Sequence, residues 1–139
     1  MTLKDMIQAC GFESVTPRFE SYFSESAERE PLADTLLVEI DDPMSTQEVL
    51  NLLKSKGLRT ATVYELLEFA VKNPDAYSVQ DIVSFDGGPF MACNASVLCS
   101  TCPFGKTKRH LRQLPAGTRW FPFPHVFLAA PIMSRNPVS

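Results

Sequence analysis

The chain has 139 residues, of which 45% are hydrophobic and 21% are charged, with a net charge of −3 and four cysteines. This size is usual for a single domain with its own core, and the composition excludes a disordered chain. The apolar runs are far shorter than the roughly 20 residues of a membrane span, and no signal peptide is visible. We therefore expect a single cytoplasmic domain over residues 1–139, with free thiols and no membrane partner.

Three helices are predicted in the first half of the chain. The first ends at Gly11, because four apolar residues before it share one helical face: Leu3, Met6, Ile7 and Cys10. Full capping boxes open two further helices, one at Ser45 with Glu48 and one at Thr62 with Glu65. Only about five residues separate these two helices, so we expect them to lie side by side or at a steep angle.

Strands are predicted mainly in the second half. Alternating apolar residues and turn signals indicate strands over 34–42, 79–85, 90–98 and 125–130. Residues 106–114 are interpreted as a polar edge strand, since charges protect exposed edges, and residues 12–35 as a loop. The pattern predicts an α+β fold, in which about three N-terminal helices pack on a small, mostly antiparallel sheet formed mainly by the C-terminal half.

Three cysteines and a histidine define a candidate zinc site. Cys99 and Cys102 have the C-x₂-C spacing that lets two thiolates hold one tetrahedral zinc ion, and Cys93 and His110 supply two further ligands nearby. The complete spacing matches no common zinc motif. A redox pair and a set of buried thiols that act as small hydrophobes are the alternatives. We expect no cofactor, with zinc as the alternative.

The charges are distributed unevenly along the chain. Residues 1–50 contain eleven acidic and three basic residues, whereas no acidic residue follows Gly87. A basic stretch in this second part offers candidate contacts to phosphates or to an acidic protein: Lys106, Lys108, Arg109 and Arg112. The alternative is a solvated strand that complements the acidic first half. A sequence pI near 5.3 argues against general nucleic-acid affinity.

The aromatic and proline-rich segment 120–124 is a candidate contact surface. Trp120, Phe121 and Phe123 belong to the residue class that contributes most binding energy at protein interfaces. The same residues could form a lid on the core, and the prolines exclude a central strand. Both interpretations remain open at this point.

The sequence contains none of the common catalytic motifs. It lacks G-x-S-x-G, the phosphate-binding P-loop and G-x-G-x-x-G, and its two histidines are His110 and His125. A Cys–His nucleophile pair remains open, because such partners meet in space rather than in sequence. We assign no catalytic residue and expect a protein without enzymatic activity.

The segment from Gly57 to Pro74 resembles a stretch of short, uncharacterised bacterial and phage-borne proteins. Those proteins have a G-x-R-x-A-T-x-x-E-L-L-x-F helix and a closing W…FLA strand, to which Trp120 and residues 126–129 correspond here. We expect a small, non-enzymatic accessory or binding protein from a bacterium or its mobile elements that acts through protein–protein contact, such as a regulator or inhibitor of a host system. The alternative is a zinc-stabilised module that binds nucleic acid or an acidic protein surface.

Overall fold

The computed structural model describes residues 3–17, 34–73, 75–76, 80–85, 95–101, 108–114 and 117–132. These residues form three helices, α1 (Leu3–Cys10), α2 (Thr46–Ser55) and α3 (Val63–Lys72). They also form seven strands: β1 (Ser14–Val15), β2 (Leu36–Val38), β3 (Leu58–Thr60), β4 (Asp81–Ser84), β5 (Ala95–Thr101), β6 (Lys108–Leu114) and β7 (His125–Pro131). Among the described residues, no helix has the length and apolar character that crossing a membrane requires.

The strands form one sheet in the order β1-β6-β5-β4-β7-β2. The β1–β6 and β4–β7 pairs are parallel, and the other pairs are antiparallel. Ala129 lies opposite both Leu36 of β2 and Thr60 of β3, so these two strands flank β7 on opposite sides. The mostly antiparallel sheet and the N-terminal helices confirm the predicted α+β class.

The sheet is covered on both faces, because successive strand residues point to opposite sides. Helices α1 and α3 pack on one face, which is lined by Ile82, Leu98, Leu111, Val126 and Leu128. Helix α2 packs on the other face, hereafter the α2 face, which is lined by Val83, Phe85, Val97, Phe127 and Ala129. The sheet therefore lies between two helical layers.

Local hydrogen bonds explain where α2 and α3 begin. Each helix begins with a capping box, formed by Ser45 and Glu48 in α2 and by Thr62 and Glu65 in α3. The hydroxyl of the cap residue accepts a hydrogen bond from the backbone amide of the glutamate, and the glutamate carboxylate accepts one from the backbone amide of the cap residue. Glu65 also accepts two hydrogen bonds from the guanidinium of Arg59, at 2.8 and 2.9 Å. Strand β3 and helix α3 thus form a corner that Arg59 and Glu65 hold together. Both predicted capping boxes are confirmed.

The structure corrects two predictions about the arrangement. Strand β6, the described part of the predicted edge strand 106–114, does not end the sheet, because β1 pairs with it through Ser14 and Val15. Of the two arrangements predicted for α2 and α3, the side-by-side one is wrong, because β3 follows α2 in the chain and the two helices cover opposite faces of the sheet. The predicted loop 12–35 contains β1, whereas residues 18–33 lie outside the described residues, as do residues 90–94 of the predicted strand 90–98.

Candidate binding site at the start of the last strand

The segment before β7, residues 120–124, is called the aromatic turn below. It starts at Trp120, which is fully buried on the α2 face. The indole Nε1–H donates to the Thr46 hydroxyl at 2.9 Å, and the Trp120 backbone exchanges two hydrogen bonds with Met44. The indole also meets the ring of Phe85 edge-on at 5.5 Å. Of the two interpretations of Trp120, the structure supports the core residue, so Trp120 is not an exposed anchor.

The next two aromatic residues of the turn face solvent. Phe121 is 44% exposed and Phe123 is 73% exposed, which makes Phe123 the most exposed large hydrophobic residue that the structure describes. Isolated exposed apolar side chains are common, but these two stand on a backbone that is held at both ends. Trp120 holds the first end, and Pro124 holds the second by accepting a hydrogen bond from the Asp81 amide at 2.7 Å.

His125, the first residue of β7, closes the turn. Its Nδ1 accepts the backbone N–H of Phe121 at 3.0 Å, so in the neutral ring the proton resides on Nε2. That Nε2 lies 4.0 Å from Oδ2 of Asp81, the residue paired with His125 across β4 and β7. Trp120 contacts the imidazole edge-on at 5.0 Å, and Phe121 stacks on it at 6.3 Å. The imidazole therefore connects the turn to the sheet.

Polar residues extend from His125 across the α2 face of the sheet. Asp81 lies opposite His125 in the pairing of β4 with β7. In the antiparallel pairing of β4 with β5, Ile82 lies opposite Leu98, so Asp81, one residue earlier, is next to Cys99, one residue later. Cys99 lies opposite His110, whose Nδ1 is 2.7 Å from the hydroxyl oxygen of Ser14. The register thus aligns a carboxyl, a thiol and two imidazoles in one row.

The electrostatics of this row do not favour nucleophilic catalysis. Burial is the main cause that raises the pKa of the Cys99 thiol, and the negative charge of Asp81 raises it further, so the thiol is protonated at neutral pH. Burial also raises the pKa of Asp81. Burial lowers the pKa of His125 against the opposing effect of Asp81, which keeps the imidazole neutral. An activated cysteine requires the opposite shift, and we therefore interpret the end of the row formed by His125 and Asp81 as structural support for the turn.

The basic stretch does not form one described patch. Arg112 is exposed and lies opposite Val97, a residue of the α2 face. Arg109 lies on the other face, where its charge acts on the thiol of Cys10. Lys106 lies outside the described residues, and only the backbone of Lys108 is described. Strand alternation therefore separates the two arginines that the sequence places together.

Two of the four candidate zinc ligands are described. Cys99 and His110 are direct cross-strand neighbours, whereas Cys93 and Cys102 lie outside the described residues. The positive charge of Arg112 acts on the Cys99 thiol and opposes a metal ion at that sulfur. Within the described ranges, no three His, Cys, Asp or Glu side chains are grouped to hold a metal ion.

Sequence reasoning missed the contribution of His125 and Asp81. Forty-four positions separate these residues, and only the parallel pairing of β4 with β7 brings them together. The one local signal was that His125 ends an aromatic and proline-rich segment and begins an apolar strand. Comparisons of the chain with protein-family models, with curated proteins and with solved structures gave no match.

Proposed function

We propose that this protein is a small, non-enzymatic accessory protein that acts by binding another protein through the aromatic turn. The exposure of Phe121 and Phe123 on a turn with a buried, hydrogen-bonded base carries the proposal. Aromatic side chains on a fixed backbone contribute binding energy at a low entropic cost, because little freedom is lost on association. A cytoplasmic regulator or inhibitor of bacterial or phage origin fits this mode of action.

The charges around the turn favour a protein partner over a nucleic acid. Arg119 is exposed immediately before Trp120, but exposed Asp41 and Asp42 precede Met44, which pairs with Trp120. A phosphate backbone would be repelled by these carboxylates, whereas a protein surface can present both signs. The partner that fits best offers an apolar pocket for Phe123 with a polar, mixed-charge rim.

Differential affinity capture tests the proposal. Wild-type protein and a Phe121→Ser/Phe123→Ser double variant are used as bait in lysate of the native host, with Val71→Ser as the matched control. Val71 is 49% exposed on α3, a helix that packs on the opposite face of the sheet. We expect one partner to be retained by wild type and control and lost by the double variant, and then to bind as a purified protein. Equal capture by all three baits would contradict the proposal.

The alternative is a zinc-stabilised module that binds nucleic acid or an acidic protein surface. The cross-strand pairing of Cys99 with His110 is the observation that favours it. Native mass spectrometry before and after treatment with a chelator separates the two functions. The proposal predicts a metal-free mass and an unchanged melting temperature. One bound zinc ion that is lost in both Cys99→Ser and His110→Asn would establish the alternative instead.

A further inference from the structure

The hydrogen bond between Phe121 and His125 depends on the protonation state of the imidazole. The Phe121 amide donates to Nδ1 at 3.0 Å, and only a neutral ring has a nitrogen that can accept. An imidazolium carries N–H groups on both nitrogens, so protonation would place two donors against each other. The interaction must then break, and the Phe121 backbone loses its partner.

The opposite side of the ring provides an interaction for the protonated state. Nε2 faces Oδ2 of Asp81 at 4.0 Å, beyond a direct hydrogen bond but close enough for attraction to a cation. Protonation therefore weakens the link to the turn while it strengthens the attraction to β4. The imidazole is placed between one partner that requires the neutral form and one that favours the charged form.

Asp81 and the Phe121 amide are the two described groups whose interactions with His125 depend on its protonation state. Among the described residues, Asp81 on β4 is the charged group that faces the imidazole, and Arg112 on β6 and Cys99 on β5 interact in turn with Asp81. From the turn, uncharged Trp120 and Phe121 pack on the ring. Burial keeps the pKa of His125 below its ordinary value, so the neutral form prevails at neutral pH.

We propose that His125 is a pH-sensitive latch: its neutral ring fixes the Phe121 backbone in the conformation that displays Phe121 and Phe123, and protonation releases that backbone between the two held ends of the turn. The consequence for partner binding rests on the proposed function, since a released turn must be ordered again before it can bind. Contact through the turn is then strong at neutral pH and weakens in mildly acidic conditions.

Nuclear magnetic resonance of the full chain, without any partner, tests the latch. The His125 ring and the Phe121 amide are followed from about pH 8 to about pH 5. We expect the amide shift to follow the ring titration with the same midpoint. Amide exchange, corrected for intrinsic pH dependence, should become faster by about tenfold on protonation, as expected for the loss of one hydrogen bond. A Phe121 amide that stays equally protected while the ring titrates would overturn the proposal.

Three variants sharpen this test. His125→Asn keeps an acceptor near the Nδ1 position without titrating, so its Phe121 amide should be independent of pH. His110→Asn is the matched control and should respond as wild type does. Asp81→Asn removes the attraction for the cation and should move the midpoint to lower pH. The same pH response in His125→Asn as in wild type would overturn the latch, and the wild-type titration decides the question if that variant does not fold.

The latch and the proposed function fail separately. A pH-independent Phe121 amide, combined with partner capture that is lost in the Phe121→Ser/Phe123→Ser double variant, rejects the latch and keeps the contact role. A Phe121 amide that follows His125, combined with equal capture by all baits, supports the latch and rejects the contact role.

Discussion

Arg59 and Glu65 form a bidentate ion pair across the corner between β3 and α3. The Glu65 side chain is 1% exposed, and both of its carboxylate oxygens accept from the guanidinium. One oxygen also accepts from the Thr62 amide, so a single carboxylate caps the helix and fixes the preceding strand. Gly57, at a φ of 75°, provides the left-handed turn that leads from α2 into this strand.

Arg59→Ala should lower the free energy of unfolding by about 3 kcal/mol, because the buried Glu65 carboxylate loses its counter-charge. Urea denaturation measures the loss. Lys72→Ala is the matched control, since it removes an exposed pair with Glu68 at 3.7 Å and should cost less than about 0.5 kcal/mol. Equal losses in both variants would show that the corner does not depend on the ion pair.

Trp120→Ala should destabilise the fold by about 3–5 kcal/mol, because it leaves a large cavity on the α2 face and removes the hydrogen bond to Thr46. Phe123→Ala should change stability by no more than about 0.5 kcal/mol, since its side chain already faces water. Thermal melts of the two variants provide the comparison. A marked loss at Phe123 would mean that its side chain is covered in the folded protein.

Cys10 should resist alkylation until the protein unfolds. Burial raises the pKa of its thiol to about 11, and the sulfur donates to the backbone oxygen of Leu67 at 3.6 Å. Little thiolate is therefore present at about pH 8. Iodoacetamide labelling with site-resolved mass spectrometry should show Cys10 modified only at urea concentrations that unfold the chain. Rapid native labelling of Cys10 would place its thiol outside the core.

Stability should fall as the pH decreases below about 6.5, the ordinary pKa of histidine. The folded state lowers the pKa of His125, so the unfolded chain takes up this proton first and gains stability relative to the fold. Chemical denaturation of wild type and His125→Asn at several pH values isolates this contribution. We expect wild type to lose stability relative to the variant as the pH falls. A constant difference would contradict the lowered pKa.

Asp81 should act in the opposite direction at more acidic pH. Burial raises its pKa in the folded protein above the ordinary value of 3.8, so the folded carboxyl takes up its proton at higher pH than the unfolded one does. This contribution therefore favours the fold as the pH falls through that range, and is lost as the pH rises. Stability curves of wild type and Asp81→Asn should converge on acidification, and divergence would exclude the raised pKa.

The parts of the fold that local chemistry determines could be predicted from the sequence. The capping boxes at Ser45 and Thr62 are satisfied within four residues, and β7 carries a continuous apolar run. Strands β1 and β3 were missed because two or three residues show no period, and they form only by pairing with β6 and β7. The overlooked β3 is also the reason that a side-by-side arrangement of α2 and α3 was expected.

The candidate site was predictable only in part. Its aromatic composition was visible in residues 120–124, but composition does not state which ring is buried. Trp120 is covered because Met44 and Thr46, about 75 positions earlier, close over it. The link from His125 to Asp81 likewise depends on strand register, which no short sequence motif encodes.

The affinity of the purified partner for Phe123→Ala, measured by titration calorimetry at neutral pH, tests the central claim most directly. The account predicts weakening by about 30-fold, equivalent to about 2 kcal/mol, because Phe123 would be an anchoring side chain. Val71→Ala, the matched exposed control, should bind within about twofold of wild type. Unchanged affinity of a correctly folded Phe123→Ala would contradict the claim that the aromatic turn is the contact surface.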